Sequence, residues 1–449
     1  MTKDVVPFRV AVRIWFLISL QTFGGPAGQI SLMHRVLVDE RRWIGQRRFL
    51  HALNYCMLLP GPEAQQLAIY SGWLLNGTRG GLVAGSLFVL PGVVVMLGLS
   101  ALYVGLGDTA LVNGLFLGLA PAVVAIVLQA LIRVSRRSLT HPSLIGFAVG
   151  AFVALAVFAV PFPAVVLAAG LSGWALGRVR PSWMILAVPT AAEASPPLIP
   201  DDQLHSDRPS RRRSVIILAI GLAAWWTPVL AAALLLGRDS VLVDQGLFFS
   251  GAALITFGGA YAALVYVAQQ AVNVYGWLLP ADMVSGLALA ETTPGPLIMV
   301  VQFVAFLGAF RFPGVLNPWV SATLGALLTT WVTFVPCFLF VLLGAPSVEK
   351  LRGNHNLSAA LTGITAAVVG VIANLALFFA LHTLFTATTT VRWGPVRLAV
   401  PDLSSISWTA VLITALACVL IFVLRWAILP VLGVCAAIGA VLGFMLNAT

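Results

Sequence analysis

Long apolar stretches that recur from one end of the chain to the other constrain its fold more than any other feature. Each exceeds the roughly 18 residues that cross about 30 Å of hydrocarbon as a helix. Of the 449 residues, 60% are hydrophobic and 9% are charged, whereas soluble proteins carry about 25% charged residues. A water-soluble enzyme or binding domain is therefore excluded, and the sequence predicts an all-α polytopic membrane protein.

The charged residues, cysteines and histidines do not indicate nucleic-acid binding, a metal site or a cofactor. The formal net charge of +10 is interpreted as loop cations that set membrane topology, so no nucleic-acid partner is expected. The four cysteines stand far apart in apolar segments, and the six histidines show no metal-ligand spacing. We therefore predict neither a metal site nor a cofactor.

The chain contains an internal repeat. The sequence TFGG at 22–25 recurs at 256–259, and PGP at 60–62 recurs at 294–296, both with an offset of 234 residues. Together with one tryptophan, these motifs contribute eight identities to a single ungapped register of 41 positions. Further on, an offset of 245 matches Pro91 to Pro336.

The repeat predicts four parts. Residues 1–180 form a first membrane repeat, and residues 241–449 form a second one. Residues 181–214 are rich in Pro, Ser, Asp and Arg and are interpreted as a flexible cytoplasmic linker. Residues 215–240 form a connecting transmembrane helix that has no counterpart in the first half.

The first two apolar stretches, 8–38 and 46–76, are interrupted at mid-length by Gly or Pro. Their pieces of about 14 residues, or ~20 Å of helix, are too short to span a membrane. Each stretch is therefore either one kinked spanning helix or a re-entrant hairpin. The loop 34–48 carries five arginines, and the positive-inside rule keeps them cytoplasmic, with a cytoplasmic N-terminus, when both stretches are hairpins. We favour hairpins on that ground.

Segment parity predicts inverted repeats. Six segments in each half and one connecting segment make thirteen, so the connecting helix turns the second half upside down. Inverted-topology repeats with broken helices are typical of secondary transporters, whose sites lie at mid-membrane where the breaks meet. Channels and membrane enzymes use this device less often.

The glycine and proline breaks are the candidate substrate site. Irregular backbone at membrane depth is tolerated only where it is buried in protein or lines a watery cavity, and the helix starts that follow breaks favour anions. The alternative is that the breaks are kinks that only absorb helix packing. The predicted substrate-binding residues are the glycines of the breaks and nearby hydrogen-bonding side chains: Thr22, Gly24, Gly25, Asn54, Gly61, Gln65, Gln66, Thr256, Gly258, Gly259, Thr292, Thr293 and Gly295.

Two carboxylates lie beside the breaks. Glu63 directly follows the first PGP, and Glu291 stands three residues before the second. An intramembrane carboxylate is costly and indicates function, so both are predicted proton-coupling residues. For Glu63 the alternative is an acid in a first helical turn that complements its own helix dipole.

The duplicated FGGP-type and PGP motifs, at 23–26 and 60–62 in the first half, resemble the chromate ion transporter (CHR) family in its long, bidomain form. The resemblance covers most of the chain. It implies an antiporter of the bacterial inner membrane that exports chromate, is driven by the proton gradient and confers chromate resistance, with antiparallel halves. In the second half Ala260 replaces the proline of the first break, so the two breaks need not act alike.

Two other functions stay open. The cargo could be sulfate or another oxyanion, and inverted repeats whose helix ends face a permeant anion also build anion channels. An enzyme is disfavoured, because no nucleophile–base pair or metal-ligand cluster stands out. The expected partners are chromate or a similar oxyanion and the lipid bilayer, with a homodimer left open.

Overall fold

The computed structural model describes residues 5–23, 25–107, 109–181, 198–199, 204, 210–257, 260–345 and 355–447. Most of the predicted linker at 181–214 lies outside these residues, as do Gly24, Gly258 and Gly259.

The described residues form sixteen α-helices and one β-hairpin. Short π-helical turns (Arg35–Glu40, Gln270–Val274 and Val419–Val423) follow three of the helices, and 3-10 turns lie at Leu297–Met299 and Leu403–Ser405. The helices are α1 (Phe8–Ser19), α2 (Gly25–His34), α3 (Gln46–Leu58), α4 (Glu63–Leu106), α5 (Ala110–Ser138), α6 (Pro142–Ala156), α7 (Phe162–Val179), α8 (Arg211–Leu236), α9 (Val241–Ile255), α10 (Ala260–Gln269), α11 (Pro280–Thr292), α12 (Val300–Arg311), α13 (Pro318–Gly344), α14 (His355–Leu384), α15 (Trp408–Cys418) and α16 (Ile428–Asn447).

Seven of the described helices are long and apolar enough to cross a membrane, namely α4, α5, α7, α8, α13, α14 and α16. Large apolar side chains on them are exposed, for example Leu234 at 86% and Val94 at 63%, as expected where the solvent is hydrocarbon. A helix pairs its backbone polar groups internally, which lipid requires. The chain is an all-α polytopic membrane protein.

Helix α4 reverses direction at Asn76 and Gly77, where the backbone leaves the helical region. Gly77 has φ 61°, in the left-handed region that favours glycine. The helices before and after the reversal approach so closely that a Cβ atom on Gly80 would overlap the carbonyl oxygen of Gly72. Asn76 Nδ2 also donates to the carbonyl oxygen of Val6 at 2.6 Å.

The stretch 46–76 folds back on itself at its proline–glycine break. Tyr55 in α3 and Tyr70 in α4 have ring centroids 5.5 Å apart. Along one continuous helix, residues this far apart in sequence would be separated by about 22 Å. The two short helices therefore lie side by side as a hairpin.

The stretch 8–38 also folds back. His34, at the end of α2, contacts Phe49 near the start of α3, with ring centroids 5.2 Å apart. The amide of Val5, just before α1, donates to the carbonyl oxygen of Leu75 at 3.1 Å. The start of α1 and the end of α2 thus both lie at the end of the α3–α4 pair that is remote from its break. The first half adopts the hairpins that the arginine pattern favoured, and the kinked-span alternative does not hold there.

The chain folds into two compact units, each of which draws on both sequence halves. Unit 1 comprises Met1–Gly98, Ala187–Ala260 and Thr293–Asn354, and unit 2 comprises Leu99–Leu186, Tyr261–Thr292 and His355–Thr449. The helices α1, α2 and α3 belong to unit 1, and so does α4 as far as Gly98. In the second half, α9 and α12 belong to unit 1, whereas α10 from Tyr261 onward and all of α11 belong to unit 2.

Unit 1 has an aromatic core around the first-half hairpins. Trp15, Phe49, Tyr55, Tyr70 and Trp73 are all at most 2% exposed. The Tyr55 hydroxyl reaches α13 and donates to the carbonyl oxygen of residue 340 at 3.2 Å. This hydrogen bond fixes the hairpin against a helix of the second half.

Unit 2 packs through small residues. A Cβ atom on Gly118 of α5 would overlap the backbone of Cys435 in α16, and one on Gly173 of α7 would crowd the backbone of Gly363 in α14. Close approach of helix backbones at small residues is the usual way in which membrane helices associate.

The β-hairpin in unit 2 is the element that sequence reasoning missed. Strands β1 (Thr388–Trp393) and β2 (Val396–Pro401) pair antiparallel, with Trp393 opposite Val396. Gly394 begins the two-residue turn with φ 59°. A glycine between two runs rich in β-branched residues was the available signal.

Candidate functional site

The first break, at residues 20–24, lies between α1 and α2. Thr22 is fully buried, and its hydroxyl donates to the carbonyl oxygen of Ser19 at 2.7 Å, which closes the end of α1. Gly25 opens α2 with φ 70°. The break thus leaves the backbone carbonyl of Thr22 outside the hydrogen-bonding pattern of either helix.

The second break is the first PGP, between α3 and α4. Gly61 has φ 115°, which side-chain-bearing residues rarely adopt. A Cβ atom there would lie 2.9 Å from Cys337 Sγ and 3.0 Å from Gln66 Nε2. The Gln66 amide donates to the carbonyl oxygen of Pro60 at 2.6 Å and so braces the turn from inside.

The second half repeats this backbone. Thr256 follows α9, and its buried hydroxyl donates to the carbonyl oxygen of Ala252 at 2.7 Å. Gly295 has φ 123°, close to the value at Gly61. One local difference follows Pro296, where the chain makes a 3-10 turn before α12 begins, whereas α4 begins directly after Pro62.

The four breaks are joined in unit 1 by two crossed hydrogen bonds. The amide of Gly295 donates to the carbonyl oxygen of Thr22 at 2.9 Å, and the amide of Gly61 donates to the carbonyl oxygen of Thr256 at 2.8 Å. Both donors and both acceptors are 234 residues apart. Exchanging the halves therefore turns one bond into the other, as a local twofold relation requires.

A second pair of contacts obeys the same relation. Gly61 packs against Cys337 of α13, and Gly295 packs against Gly92 of α4, whose Cα would lie 3.2 Å from an added Cβ. Gly92 and Cys337 are 245 residues apart and each follows the matched Pro91 or Pro336. Sequence reasoning missed both residues, although the 245-residue register aligns them.

Buried glutamines surround these breaks. Gln29, Gln65 and Gln66 are at most 1% exposed. Gln29 Nε2 donates to the carbonyl oxygen of Gly295, which adds a side-chain bond to the crossed backbone pair. Among the described residues, neither amide atom of Gln65 has a hydrogen-bond partner, and neither does the side-chain oxygen of Gln29 or Gln66.

The threonines are less available than the glutamines. The hydroxyls of Thr22 and Thr256 donate to their own helices, and that of Thr292 donates to the carbonyl oxygen of Leu289 at 2.8 Å. Thr293 is 3% exposed. In this conformation the hydroxyls of Thr22, Thr256 and Thr292 have no proton left to give to an anion, whereas the buried Gln65 amide has no hydrogen-bond partner among the described residues.

The two acids have different surroundings. Glu291, in unit 2, is 2% exposed, and Tyr261 donates to its Oε1 at 2.7 Å. Its other oxygen is buried and has no hydrogen-bond partner among the described residues. Arg133 lies within electrostatic range of both Glu291 and Tyr261. Glu63, in unit 1, is half-buried at the first position of α4.

Asn54 stands apart from the other predicted residues. It lies on α3, and its side chain is exposed, whereas its neighbours Leu53 and Tyr55 are buried. The crossed contacts do not involve it. Gly24, Gly258 and Gly259 lie outside the described residues.

Comparison with known proteins places these motifs in a family. A family model described as chromate transporter matches residues 10–174 and 243–443, one region in each half. A chromate transport protein from Pseudomonas aeruginosa is 34% identical over 359 residues, which cover 79% of this chain and 76% of that protein. One from Cupriavidus metallidurans is 29% identical over 373 residues, with 83% and 82% covered.

A probable chromate transport protein from Synechococcus elongatus is 26% identical over 357 residues, with 78% of this chain and 79% of that protein covered. No solved structure matches the chain. Since the family model covers most of both halves, including the described breaks and both PGP motifs, the chain belongs to the chromate transporter family, a family of membrane transporters.

Proposed function

We propose that this chain is a secondary transporter that exports chromate from the bacterial cytoplasm across the inner membrane, coupled to the proton gradient. The observation that carries the proposal is the pair of crossed hydrogen bonds, Gly295 to Thr22 and Gly61 to Thr256, which brings all four breaks to one place in unit 1. The family membership and the names of the relatives supply the cargo.

The substrate is proposed to bind beside these breaks. A tetrahedral dianion needs hydrogen-bond donors, and irregular backbone next to helix starts supplies partial positive charge. Gln65 adds a buried amide group that has no partner among the described residues. A buried donor left unpaired costs free energy, so an anion that accepts from it is stabilised without a buried cation.

Inverted topology is part of the proposal. The twofold exchange of contacts supports two related halves, and the odd number of segments makes them antiparallel if the connecting helix α8 crosses once. The first-half hairpins would then enter the bilayer from the cytoplasm and return, which leaves the arginines of 34–48 and the N-terminus inside. Labelling of a cysteine introduced at Arg41 by a membrane-impermeant thiol reagent would test this: protection in intact cells and reaction in everted vesicles are expected.

Proton coupling is assigned to Glu291 and Glu63. A carboxyl group inside a membrane is a natural proton carrier, because its charged form is costly there and its neutral form is not. Glu291 combines deep burial with a tyrosine partner that can follow its protonation state. Glu63 directly follows the first PGP, which is the second break.

The test is chromate transport in cells and in everted vesicles. Cells that contain the protein should accumulate less chromate than cells without it, and everted vesicles should take up chromate when a proton gradient is imposed. The Glu63→Gln variant should insert normally and lose most of this uptake. Normal uptake by everted Glu63→Gln vesicles would contradict the proton role of Glu63, and unchanged accumulation in cells would contradict export.

The same vesicles separate the alternatives. Unlabelled sulfate competes with chromate if the site reads only the charge and shape of a tetrahedral oxyanion, and it fails to compete if the site is selective. Planar-bilayer recording should show no unitary conductance. Chromate conductance without proton coupling would identify a channel.

A further inference from the structure

A basic pocket in unit 2 is separate in sequence from the breaks. It has a volume of about 760 Å³ and shares no residue with the crossed contacts. The last turns of α5 supply one wall, and the π-helical turn after α15 with the residues that follow supplies the other. The lining residues are Gln129, Ile132, Arg133, Arg136, Arg137, Ile421, Phe422 and Arg425.

The pocket concentrates positive charge. Four of its eight lining residues are arginines and none is acidic. Guanidinium groups that share one cavity repel each other unless an anion lies between them. Arginine is also the side chain best suited to bind a tetrahedral oxyanion, because its planar donors form paired hydrogen bonds.

The helix dipole of α5 accounts for the positions of only two of the four arginines. Arg136 and Arg137 occupy the last turn of α5, where cations complement the negative end of the helix dipole. Arg425 comes from another segment and has φ 56°, a conformation that favours glycine. The matching closures after α2 and α10 use Arg42, with φ 54°, and Gly276, with φ 63°. This backbone accepts arginine or glycine and requires neither, so the closure alone does not account for Arg425, which also lines the pocket.

We propose that this arginine pocket is a second binding site for tetrahedral oxyanions, distinct from the transport site. Two sources share this chemistry, namely a free oxyanion and the phosphate group of an anionic phospholipid. The volume exceeds what one small ion fills, and Ile421 and Phe422 add apolar lining, which suits a headgroup at the membrane surface.

The variants for the test avoid Arg133, because it also acts on Glu291 and Tyr261. The double variant Arg136→Gln with Arg425→Gln removes one cation from each wall. The control is Arg178→Gln, which removes an arginine from the last turn of α7, outside the pocket. It shares the helix-terminal setting of Arg136.

The experiment measures binding to the purified full-length protein in nanodiscs. In phosphatidylcholine discs, sulfate and chromate are titrated calorimetrically. In discs that contain phosphatidylglycerol, the retained anionic lipids are counted by native mass spectrometry. The double variant should weaken binding about tenfold in at least one arm, and Arg178→Gln should bind as the wild type does.

The arm that changes identifies the occupant: loss of ion binding assigns a free oxyanion, and loss of lipid retention assigns a phospholipid headgroup. Wild-type binding by the double variant in both arms would overturn the proposal. The Gln65→Leu background, which weakens the proposed transport site, should retain the arginine-dependent binding. Failure of the pocket is thereby distinguished from failure of the transport mechanism.

Discussion

The two proline–glycine–proline breaks have the same backbone conformation but different side chains beside them. Gly61 and Gly295 have φ values of 115° and 123°, and each donates its amide to the matching threonine carbonyl of the other half. These backbone contacts would survive almost any change in the neighbouring side chains. A repeat can therefore preserve its geometry while the residues around it diverge.

The side chains around the two breaks differ in a complementary way. After the first PGP the chain carries Glu63, Gln65 and Gln66, and the matching positions after the second are Leu297, Met299 and Val300. Before the second PGP it carries Glu291, Thr292 and Thr293, and the matching positions before the first are Met57, Leu58 and Leu59. Each PGP motif thus has one acidic residue nearby, which follows the motif in the first half and precedes it in the second half. The repeat thus preserves the backbone conformation of the two PGP motifs, whereas the positions of the acidic side chains beside them differ between the halves.

The largest effect is expected from alanine at either glycine. Gly61→Ala and Gly295→Ala each force a side chain into a strained region, which costs of the order of 1–3 kcal/mol. Both should abolish chromate efflux and lower the thermal midpoint. Gly295→Ala should be at least as damaging, because its Cβ meets the backbone of Gly92 rather than a side-chain end.

Gly98→Ala is the matched control for these variants. It lies within α4, and an added Cβ there meets nothing within 4 Å. Efflux and thermal midpoint should stay at wild-type levels. Full efflux by one of the two break variants and none by the other would show that the halves are not equivalent in backbone.

The second-largest effect is expected at the two acidic residues near the PGP motifs. Glu291→Gln should remove proton-driven chromate uptake into everted vesicles, and more completely than Glu63→Gln does, because Glu291 is 2% exposed and Glu63 is half-buried. Tyr261→Phe keeps the carboxyl group and should only slow uptake. A smaller loss for Glu291→Gln than for Glu63→Gln would reverse the roles assigned to the two breaks.

A smaller effect should separate function from stability at Gln65. Gln65→Leu removes two buried amide atoms that have no hydrogen-bond partner among the described residues, so the thermal midpoint should hold or rise. The KM for chromate should increase about tenfold, the equivalent of about 1.4 kcal/mol of lost binding.

The control for Gln65 is Gln245→Leu. Gln245 is equally buried, but its amide donates to the carbonyl oxygen of Ala305 at 3.0 Å. This variant should lower the thermal midpoint and leave KM near the wild-type value. A stable Gln65→Leu protein with an unchanged KM would remove Gln65 from the binding site.

The smallest effect is expected at Asn54. Its side chain is exposed on α3, and it takes no part in the crossed contacts. Asn54→Ala should change chromate uptake less than about twofold, since exposed polar substitutions usually cost little. A larger loss would mean that the substrate path extends along α3, beyond the breaks.

The sequence predicted some features of the breaks and did not predict the residues that they contact. The positions of the breaks and the 234-residue register followed from the sequence pattern. The loop arginines favoured hairpins over kinked spans, because charge placement is a topological property. The partners of the breaks did not follow. The local sequence does not predict that Gly61 contacts Cys337 or that Tyr261 donates a hydrogen bond to Glu291. It also does not predict that the hydroxyls of the break threonines donate to carbonyl oxygens of their own helices.

The sequence by itself determined a helical membrane protein built as two related halves with paired breaks, since apolar length and repeated motifs are written along the chain. Only the tertiary structure decided which breaks pair across the halves, that each compact unit draws on both halves, and which buried amides are left without partners. Those outcomes depend on contacts between residues more than 200 positions apart, such as Thr22 with Gly295, and periodicity along one segment carries no information about them.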